Sequence, residues 1–468
     1  MVNQLSLIEM AAQIRSRAIS PVELVEAHLA QIEKHNPALN AFVLIEAEEA
    51  RAAARTAEQK LMDGAEIGPL HGVPVTVKDS FDIAGLPTTC GSRLFQNLRA
   101  RTTATPVVRL IDAGAIILGK TNCPEFLASY ETDNFVVGRS NNPWDLERTP
   151  GGSSGGEACA IAAFMSAGGI GSDGGGSIRV PAHFTGIVGL KPTPGRVPAT
   201  GHMPAMNHPS GLMGVAGPMA RTAGDVRALF EVLQGFDPSD PFSAPVPLRR
   251  QDTSGLRVGV MEQFPNVPVR PEVREAVIRA AKCLESMGYV VEEFRPEGID
   301  RAPNLWWFFF GELPARITQE LIAGRESEVH WTGTESLAKA LSTPEPSGRR
   351  MLDALAERDR LRCEFIKQMG QYAAVVAPVC GVPAFRHRER RWQTADKTIG
   401  LFEAMMPSTT FNLLGLPGLS VPFGQSPEGL PVGVQLVGRP FAEELLLDVS
   451  ARLEEGRGLF PGPPAMLG

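Results

Sequence analysis

The sequence predicts an α/β protein whose large mixed β-sheet is flanked by helices on both faces. Hydrophobic strand patterns alternate with helical patterns in the first half of the chain, and a second strand–helix–strand pattern follows at 257–294. Near the C-terminus, the apolar segments 419–422 and 432–437 are separated by a Gly/Pro turn, which indicates an antiparallel pair. Because both strand directions are indicated, we expect a mixed sheet.

Helices are predicted at the N-terminus. Ser20 is typical of an N-cap, Pro21 of a first helical turn and Glu23 of a capping box. An Ala- and Glu-rich helix follows at 43–62, and the strand after it ends at Lys78. Further elements are predicted in chain order: a helix at 105–113, a strand at 115–118, a helix of small residues at 154–167 ended by Gly168 and Gly169, mainly helices at 300–400, and a last helix from 442.

Composition and charge exclude several classes of protein. Hydrophobic residues make up 43% and charged residues 21% of the chain, which is ordinary for a soluble protein with a sizeable core. The net charge of −7 indicates no basic surface for nucleic acid or an anionic membrane, and no apolar run reaches the ~18 residues that span a bilayer. The six cysteines form no CxxC pair, and the N-terminus lacks the features of a signal peptide. We therefore expect a cytoplasmic protein without a zinc site or a disulfide framework.

Three short motifs match patterns of other enzyme classes. Residues 114–121 fit a phosphate-binding loop, but the apolar residues between its glycines favour a core strand. Residues 169–174 fit a dinucleotide fingerprint, yet more glycines follow where a helix should begin. Residues 151–155 fit the nucleophile elbow of another hydrolase fold, which needs an acidic residue and a histidine downstream. Several histidines are available, so this last alternative stays open.

A lysine and a set of serines form the main catalytic candidate. Lys78 ends a hydrophobic strand, where burial would lower its pKa and make it a base, although a lone lysine at a strand end is usually solvated. Ser153 and Ser154 lie between glycine pairs, which permit unusual backbone conformations and close approach. Ser177 follows the glycines at 174–176, whose consecutive N–H groups are suited to bind one oxygen.

Long segments around these residues resemble the amidase signature family of serine hydrolases. They are 72–79, 114–125, 151–157, 171–181, 186–193, 411–422 and 433–438, so the resemblance covers most of the chain and is weakest at 230–400. It implies the amidase-signature fold as a single domain. Within that domain we expect N-terminal helices at 1–65, the signature core at 66–235, a variable, substrate-shaping region at 236–400, and C-terminal strands and a helix at 401–468.

The resemblance also implies the catalytic roles. Ser177 is the expected nucleophile, Ser153 the bridging serine after a cis peptide bond, and Lys78 the ultimate base. Further roles are implied as follows: an oxyanion hole at Gly174, Gly175, Gly176 and Ser177, and supporting hydrogen bonds from Ser154 and Asp173, with Arg179 as a structural partner of Asp173. The chain departs from the family pattern at Ser172 and Gly174. No metal or organic cofactor is required by this chemistry.

The substrate is less closely defined than the reaction. The family segment Tyr130, Glu131 and Thr132 is expected near the acyl pocket, and the bulky stretches 305–310 and 402–406 are candidates for its walls, with core packing as their structural alternative. We expect a hydrolase for neutral hydrophobic or aryl amides, with carbamates or esters as related substrates. The expected partner is therefore a small-molecule amide, without nucleic acid or membrane, and a homodimer is left open.

Two alternatives remain. One is the A subunit of a tRNA-dependent amidotransferase, which releases ammonia from glutamine for a partner protein. Members of that branch usually have an aromatic residue after Lys-Pro-Thr, whereas Pro194 follows here. The other is a non-catalytic binding protein on the same fold, against which the presence of all three triad residues argues.

Overall fold

The fold is organised around one eleven-stranded mixed sheet. In this computed structural model, which describes residues 1–206, 213–249, 252–253 and 255–466, the strand order is β1-β3-β2-β4-β6-β5-β12-β13-β9-β7-β8. The strands are β1 (Phe42–Ile45), β2 (Pro74–Lys78), β3 (Ile116–Thr121), β4 (Gly168–Asp173), β5 (Val188–Lys191), β6 (Val215–Ala220), β7 (Arg257–Val260), β8 (Val290–Glu293), β9 (Ala374–Pro378), β12 (Gly418–Gln425) and β13 (Pro431–Val437). A separate hairpin is formed by β10 (Arg391–Gln393) and β11 (Thr398–Gly400).

Helices flank this sheet, as the sequence predicted. They are α1 (Leu7–Arg15), α2 (Pro21–Leu39), α3 (Ala47–Met62), α4 (Thr105–Asp112), α5 (Gly155–Ala162), α6 (Arg179–Thr185), α7 (Ala223–Leu233), α8 (Pro271–Ser286), α9 (Ala302–Trp307), α10 (Leu313–Ile322), α11 (Trp331–Leu341), α12 (Gly348–Gln368), α13 (Leu401–Leu413) and α14 (Glu443–Arg457). A π-helical turn at Phe308–Glu312 joins α9 to α10. Among the described residues, no helix is both long and apolar enough to cross a membrane.

Most predicted elements are present. The pair β12 and β13 is antiparallel, and the strand–helix–strand pattern at 257–294 forms β7, α8 and β8, with β7 parallel to both β8 and β9 in the main sheet. Ser20 caps α2 by accepting hydrogen bonds from the N–H groups of Val22 and Glu23. The predicted capping box at Glu23 is absent, and a capping box is instead found at Ser6 and Glu9.

The predicted bounds of two helices are wrong. The helix predicted from residue 43 starts at Ala47, because residues 42–45 are apolar and partly β-branched and pair with β3. The helix predicted over 154–167 ends at Ala162, and Gly168 and Gly169 start β4 instead of ending the helix. A Cβ on Gly168 would lie 2.9 Å from the Cδ1 atom of Leu229, so this strand needs glycine for close packing.

The order of the strands positions the site. β2 and β4 are parallel neighbours, so their carboxyl ends, which carry Lys78 and Asp173, lie at the same edge of the sheet. The loops that precede α5 and α6 pass over this edge and carry Ser153 and Ser177. Residues far apart in the chain are therefore brought together at one edge, which is where open α/β sheets commonly bind ligands.

Candidate active site

Lys78 lies fully buried under three hydroxyl groups. Its Nζ atom donates to Ser153 Oγ at 2.7 Å, and to Ser154 Oγ and Ser172 Oγ at 3.0 Å each. Burial penalises the charged amine and lowers the pKa of Lys78 from 10.5 to about 8, although the nearby charges of Asp173 and Glu157 oppose this change. A lysine whose pKa is lowered in this way is neutral far more often near neutral pH than an ordinary lysine, and in its neutral form it can accept a proton.

A second buried lysine on the next strand shows the contrast. Lys120, near the end of β3, is also fully buried, but its Nζ atom lies 2.7 Å from the carboxylate of Asp79. Lys78 is instead surrounded by neutral hydroxyls. Of these two lysines, Lys78 therefore has the environment of a base, because its amine faces hydroxyl groups and, among the described residues, no carboxylate.

The turn that carries Ser153 is held by the segment at 129–132. The Gly152–Ser153 peptide is cis, as the family resemblance implied. Thr132 Oγ1 donates to the carbonyl of Gly151 at 2.9 Å, and a Cβ on Gly152 would lie 2.5 Å from the Ser129 carbonyl oxygen. The bare glycine thus permits close contact between the two segments.

Ser177 lies next to this turn, just before α6. The N–H of Ser154 donates to the Ser177 carbonyl at 3.1 Å, which joins the two serine segments through the main chain. Ser177 keeps 7% of its surface exposed, against 2% for Ser153 and 0% for Lys78. Its hydroxyl makes no hydrogen bond to any residue within the described ranges, so Ser177 is the most approachable of the three.

A buried ion pair anchors residues 174–177, which are called the glycine loop below. Arg179 donates from Nε and Nη2 to the two carboxylate oxygens of Asp173 at 3.0 Å each, and the same carboxylate accepts the N–H groups of Gly176 at 2.7 Å and Ile178 at 3.1 Å. Burial acts to raise the pKa of Asp173, but the charge and hydrogen bonds of Arg179 outweigh it and hold that pKa well below its usual range. Asn412 also donates to Asp173, at 2.9 Å. The loop thus wraps around a fixed negative charge.

The carbonyl groups of the glycine loop are held by two aromatic side chains. Trp306 Nε1 donates to the Gly174 carbonyl at 2.8 Å, and the Tyr130 hydroxyl donates to the Gly175 carbonyl at 2.7 Å. The N–H of Gly176 is engaged by Asp173, so it is not a free oxyanion donor as the sequence suggested. The N–H groups of Gly174, Gly175 and Ser177 donate to none of the residues that the structure describes, which leaves them as the candidate donors.

Aromatic rings cover this loop. Trp306 and Phe310 stack with centroids 4.8 Å apart, and Phe402 lies 6.4 Å from Trp306. A Cβ on Gly174 would lie 2.7 Å from Phe310, and one on Gly175 would lie 2.5 Å from Trp306. The glycines therefore let the two rings approach the loop directly, and the bulky stretch at 305–310 reaches the site.

The other predicted pocket residues have different roles. Glu131 points to Arg390, whose Nη1 atom lies 2.5 Å from Oε1, and it accepts the N–H of Arg388 at 2.9 Å. Thr132 holds the Gly151 carbonyl, so only Tyr130 of the three contacts the glycine loop.

Sequence reasoning missed Ser172 as a partner of Lys78 and Asn412 as a partner of Asp173. Both are polar residues within runs of small or apolar residues. A polar side chain that is buried in this way needs a hydrogen-bond partner, and this was the signal in the sequence. Across the described part of the chain, no three His, Cys, Asp or Glu side chains form a metal-binding group.

Known proteins resemble this chain over almost its whole length. The family model described as Amidase matches residues 23–447. The A subunit of the glutamyl-tRNA(Gln) amidotransferase of Acidothermus cellulolyticus is 35% identical, with 96% of this chain and 93% of the relative covered. The indoleacetamide hydrolase of Bradyrhizobium diazoefficiens is 36% identical, with 97% of this chain and 87% of the relative covered.

A solved structure extends the comparison to the fold. It was described as a vestigial protein complex that reveals the origins of an s-triazine catabolic enzyme. It is 28% identical, has a TM-score of 0.90, and covers 98% of this chain and 100% of its own. These matches confirm the amidase-signature fold and the resemblance seen in the sequence. The chain belongs to the amidase family, as a hydrolase that acts on carbon–nitrogen bonds.

Proposed function

We propose that this protein is an amidase for neutral amides with an aromatic or apolar acyl group. The observation that carries this proposal is the stacked pair Trp306 and Phe310, which lies directly on Gly174 and Gly175. An acyl group whose carbonyl oxygen faces the loop N–H groups would meet these rings. Apolar walls with a few fixed polar groups are typical of sites for small uncharged ligands.

The proposed reaction proceeds through an acyl-enzyme on Ser177. Neutral Lys78 withdraws a proton from Ser153, which in turn withdraws the proton of Ser177 as this residue attacks the amide carbonyl. The N–H groups of Gly174, Gly175 and Ser177 stabilise the oxyanion, and each donor of this kind lowers a barrier by about 3–4 kcal/mol. The proton then passes to the leaving nitrogen, and water hydrolyses the ester that remains. Carbamates and esters fit the same sequence of steps.

The geometry supports the first step of this proton relay, from Ser153 to Lys78. Lys78 and Ser153 are in direct contact at 2.7 Å. Ser177 is joined to the same turn by the main-chain hydrogen bond from Ser154. The contact between the hydroxyls of Ser153 and Ser177 is expected to form when substrate binds, because catalytic hydrogen bonds often tighten only in the complex.

A second candidate function is supported by the curated relatives. Several of them, including the first, are named as the A subunit of glutamyl-tRNA(Gln) amidotransferase, a name that mentions both a tRNA and a multi-chain enzyme. In this case the chain would release ammonia from glutamine within a larger assembly, and the absence of a nucleic-acid partner stays a prediction. Glutamine carries both a carboxylate and an ammonium group, which need charged partners, whereas aromatic side chains cover the glycine loop.

Hydrolysis assays distinguish the two functions. Purified protein is tested for release of para-nitroaniline from an aryl para-nitroanilide and of ammonia from phenylacetamide, an aryl carbamate and glutamine. Ser177→Ala is the inactive variant, and Ser286→Ala, an exposed serine on α8, is the matched control. Turnover of aromatic amides that only Ser177→Ala abolishes supports the proposal. Turnover of glutamine alone supports the second candidate and contradicts the first.

A serine-reactive fluorophosphonate separates both functions from the non-catalytic alternative. We expect the probe to label Ser177 in the wild-type protein and in Ser286→Ala. Labelling that persists in Ser177→Ala would assign the nucleophile to another residue, and no labelling of the wild-type protein would support a binding protein without catalysis.

A further inference from the structure

A cavity lies outside the serine–lysine site. Its volume is about 320 Å³, which is within the range of small-molecule sites. The triad residues and the glycines at 174–176 are not among its described lining residues. Its apolar walls are Pro194, Val197, Met206, Val215, Phe242 and Phe441.

Two arginines from α12 reach this cavity. Arg358 and Arg362 are one helical turn apart, so their side chains lie on the same helix face. Arg358 is 7% exposed and donates from Nε to the carbonyl of Leu413 at 2.8 Å, while its Nη1 atom reaches the exposed Asp359 only at 3.5 Å. The Nε atom of Arg362 is buried and has no hydrogen-bond partner within the described chain.

The described lining residues of this cavity carry two positive charges, on Arg358 and Arg362, and one negative charge, on Asp240. Burial and the neighbouring charge of Arg362 both lower the pKa of Arg358, which reports that the two guanidinium groups repel each other. Asp240 is the carboxylate among the described lining residues, and it already accepts the N–H groups of Ala199 and Phe242 at 2.9 Å each. Two like charges at one wall, with one donor unpaired, favour an anion between them.

We propose that this cavity binds a small organic anion, namely an aryl or similarly apolar carboxylate, held between Arg358 and Arg362. Guanidinium groups bind carboxylates through parallel hydrogen bonds, which would use the unpaired donor of Arg362. The apolar part of the ligand packs against Phe242 and Phe441. This site is separate from amide hydrolysis and does not depend on which substrate the protein cleaves.

Calorimetric titration with benzoate tests the site. We expect benzoate to bind the wild-type protein and Ser177→Ala alike, and its affinity to fall at least 10-fold in Arg362→Gln. Arg360→Gln, on the same helix but exposed and paired with Glu357, is the matched control and should bind as the wild type does. Benzoate affinity that is unchanged in Arg362→Gln, or no binding at all, overturns the proposal.

Two further probes define the ligand chemistry. In Ser177→Ala, which should not hydrolyse amides, benzamide has the same shape as benzoate without the charge and should not compete with it for the cavity. Inorganic phosphate has the charge without the apolar part and should bind at least 10-fold more weakly than benzoate. Phosphate that binds as well as benzoate would overturn the apolar part of the proposal.

Measurement of the unfolding temperature tests whether a loss of benzoate binding is caused by misfolding of the variant. Arg362→Gln removes a repelling charge, so its unfolding temperature without ligand should equal or exceed that of the wild type. Arg362→Lys keeps the charge and should retain benzoate-dependent stabilisation, although with weaker binding because a lysine cannot form the parallel pair of hydrogen bonds. Loss of stabilisation in Arg362→Lys as complete as in Arg362→Gln would contradict a role for charge.

Discussion

Two parts of the site differ in how they are built. The catalytic cradle consists of two strand ends, the loops that precede α5 and α6, and the first residue of α6; its members are Lys78, Asp173, Ser153, Ser177 and Arg179. The aromatic cover, made of Trp306, Phe310 and Phe402, comes from helical segments and uses ring packing with few hydrogen bonds. The cradle is held by fixed charges and hydrogen bonds, and in the proposed function it carries out the reaction while the cover selects the acyl group. Substitutions in each part should therefore have different effects.

The largest effect is expected from Lys78→Met in the cradle. Without a base the relay cannot start, so kcat should fall by about 10⁴-fold or more. Stability should not fall at pH 7, since the pKa of Lys78 in the folded protein is lowered to about 8 and its charged form costs free energy there. Assays of the purified variant and urea unfolding measure the two quantities.

The control is Lys120→Met, which removes a lysine paired with Asp79. It should cost about 3–5 kcal/mol of stability, because the buried carboxylate loses its partner. The wild-type protein should also gain stability relative to Lys78→Met as pH rises from about 8 to 10.5, where the unfolded chain binds the extra proton. Equal loss of stability in both variants would contradict the assignment of Lys78 as a base.

A large loss of stability is expected from Arg179→Met. This change leaves the carboxylate of Asp173 buried without its ion pair and should destabilise the protein by about 3–5 kcal/mol. Activity should fall as well, since Asp173 holds the N–H groups of Gly176 and Ile178. Chemical unfolding provides the measurement.

The control for Arg179→Met is Arg360→Met, which breaks an exposed ion pair and should cost less than about 1 kcal/mol. If the two variants were equally stable, the buried ion pair would not be the anchor of the glycine loop.

A moderate effect on one class of substrate is expected from Trp306→Ala in the cover. Loss of the ring should lower kcat/KM for phenylacetamide by about 10- to 100-fold and change acetamide hydrolysis much less. Trp306→Phe keeps a ring but removes the hydrogen bond to the Gly174 carbonyl, and therefore separates packing from loop support. An equal loss for both substrates in Trp306→Ala would show that the ring supports the loop and does not select the acyl group.

The smallest effect is expected from Glu157→Gln, behind the cradle. Glu157 accepts hydrogen bonds from Thr76 and Thr121, and burial raises its pKa to about 7. Above that pH the negative charge of Glu157 raises the pKa of Lys78. The Glu157→Gln variant should therefore have a lower Lys78 pKa, and its kcat/KM should rise at a pH lower by about one unit or less.

The wild-type kcat/KM should itself rise with pH through about 8 and then level off, because the neutral lysine is the active form. Ser166→Ala, which changes a neutral neighbour of Thr76, should leave the profile in place. An unchanged profile in Glu157→Gln would remove this carboxyl group from the electrostatics of the site.

Much of the cradle could be predicted from sequence, and little of the cover. Lys78, Ser153 and Ser177 stand in long motifs with flanking glycines, so their proximity was expected although they lie on separate elements. The contact of Trp306 with Gly174 joins residues from distant parts of the chain, and no local periodicity indicates it. The ion pair of Glu131 could not be predicted from the sequence either, because its partner Arg390 lies next to a hairpin within a region predicted to be mainly helical. Pairings of this kind depend on tertiary packing rather than on local pattern.

The path of the chain between β8 and β9 has a consequence for how such enzymes diversify. These two strands lie on either side of β7, so the chain leaves the sheet at residue 293 and returns at residue 374 close to where it left. Trp306 and Phe310 belong to this excursion, whereas every residue of the catalytic cradle lies outside it. We therefore expect changes of acyl specificity in related enzymes to arise mainly within this excursion, and changes of the reaction to require substitutions outside it.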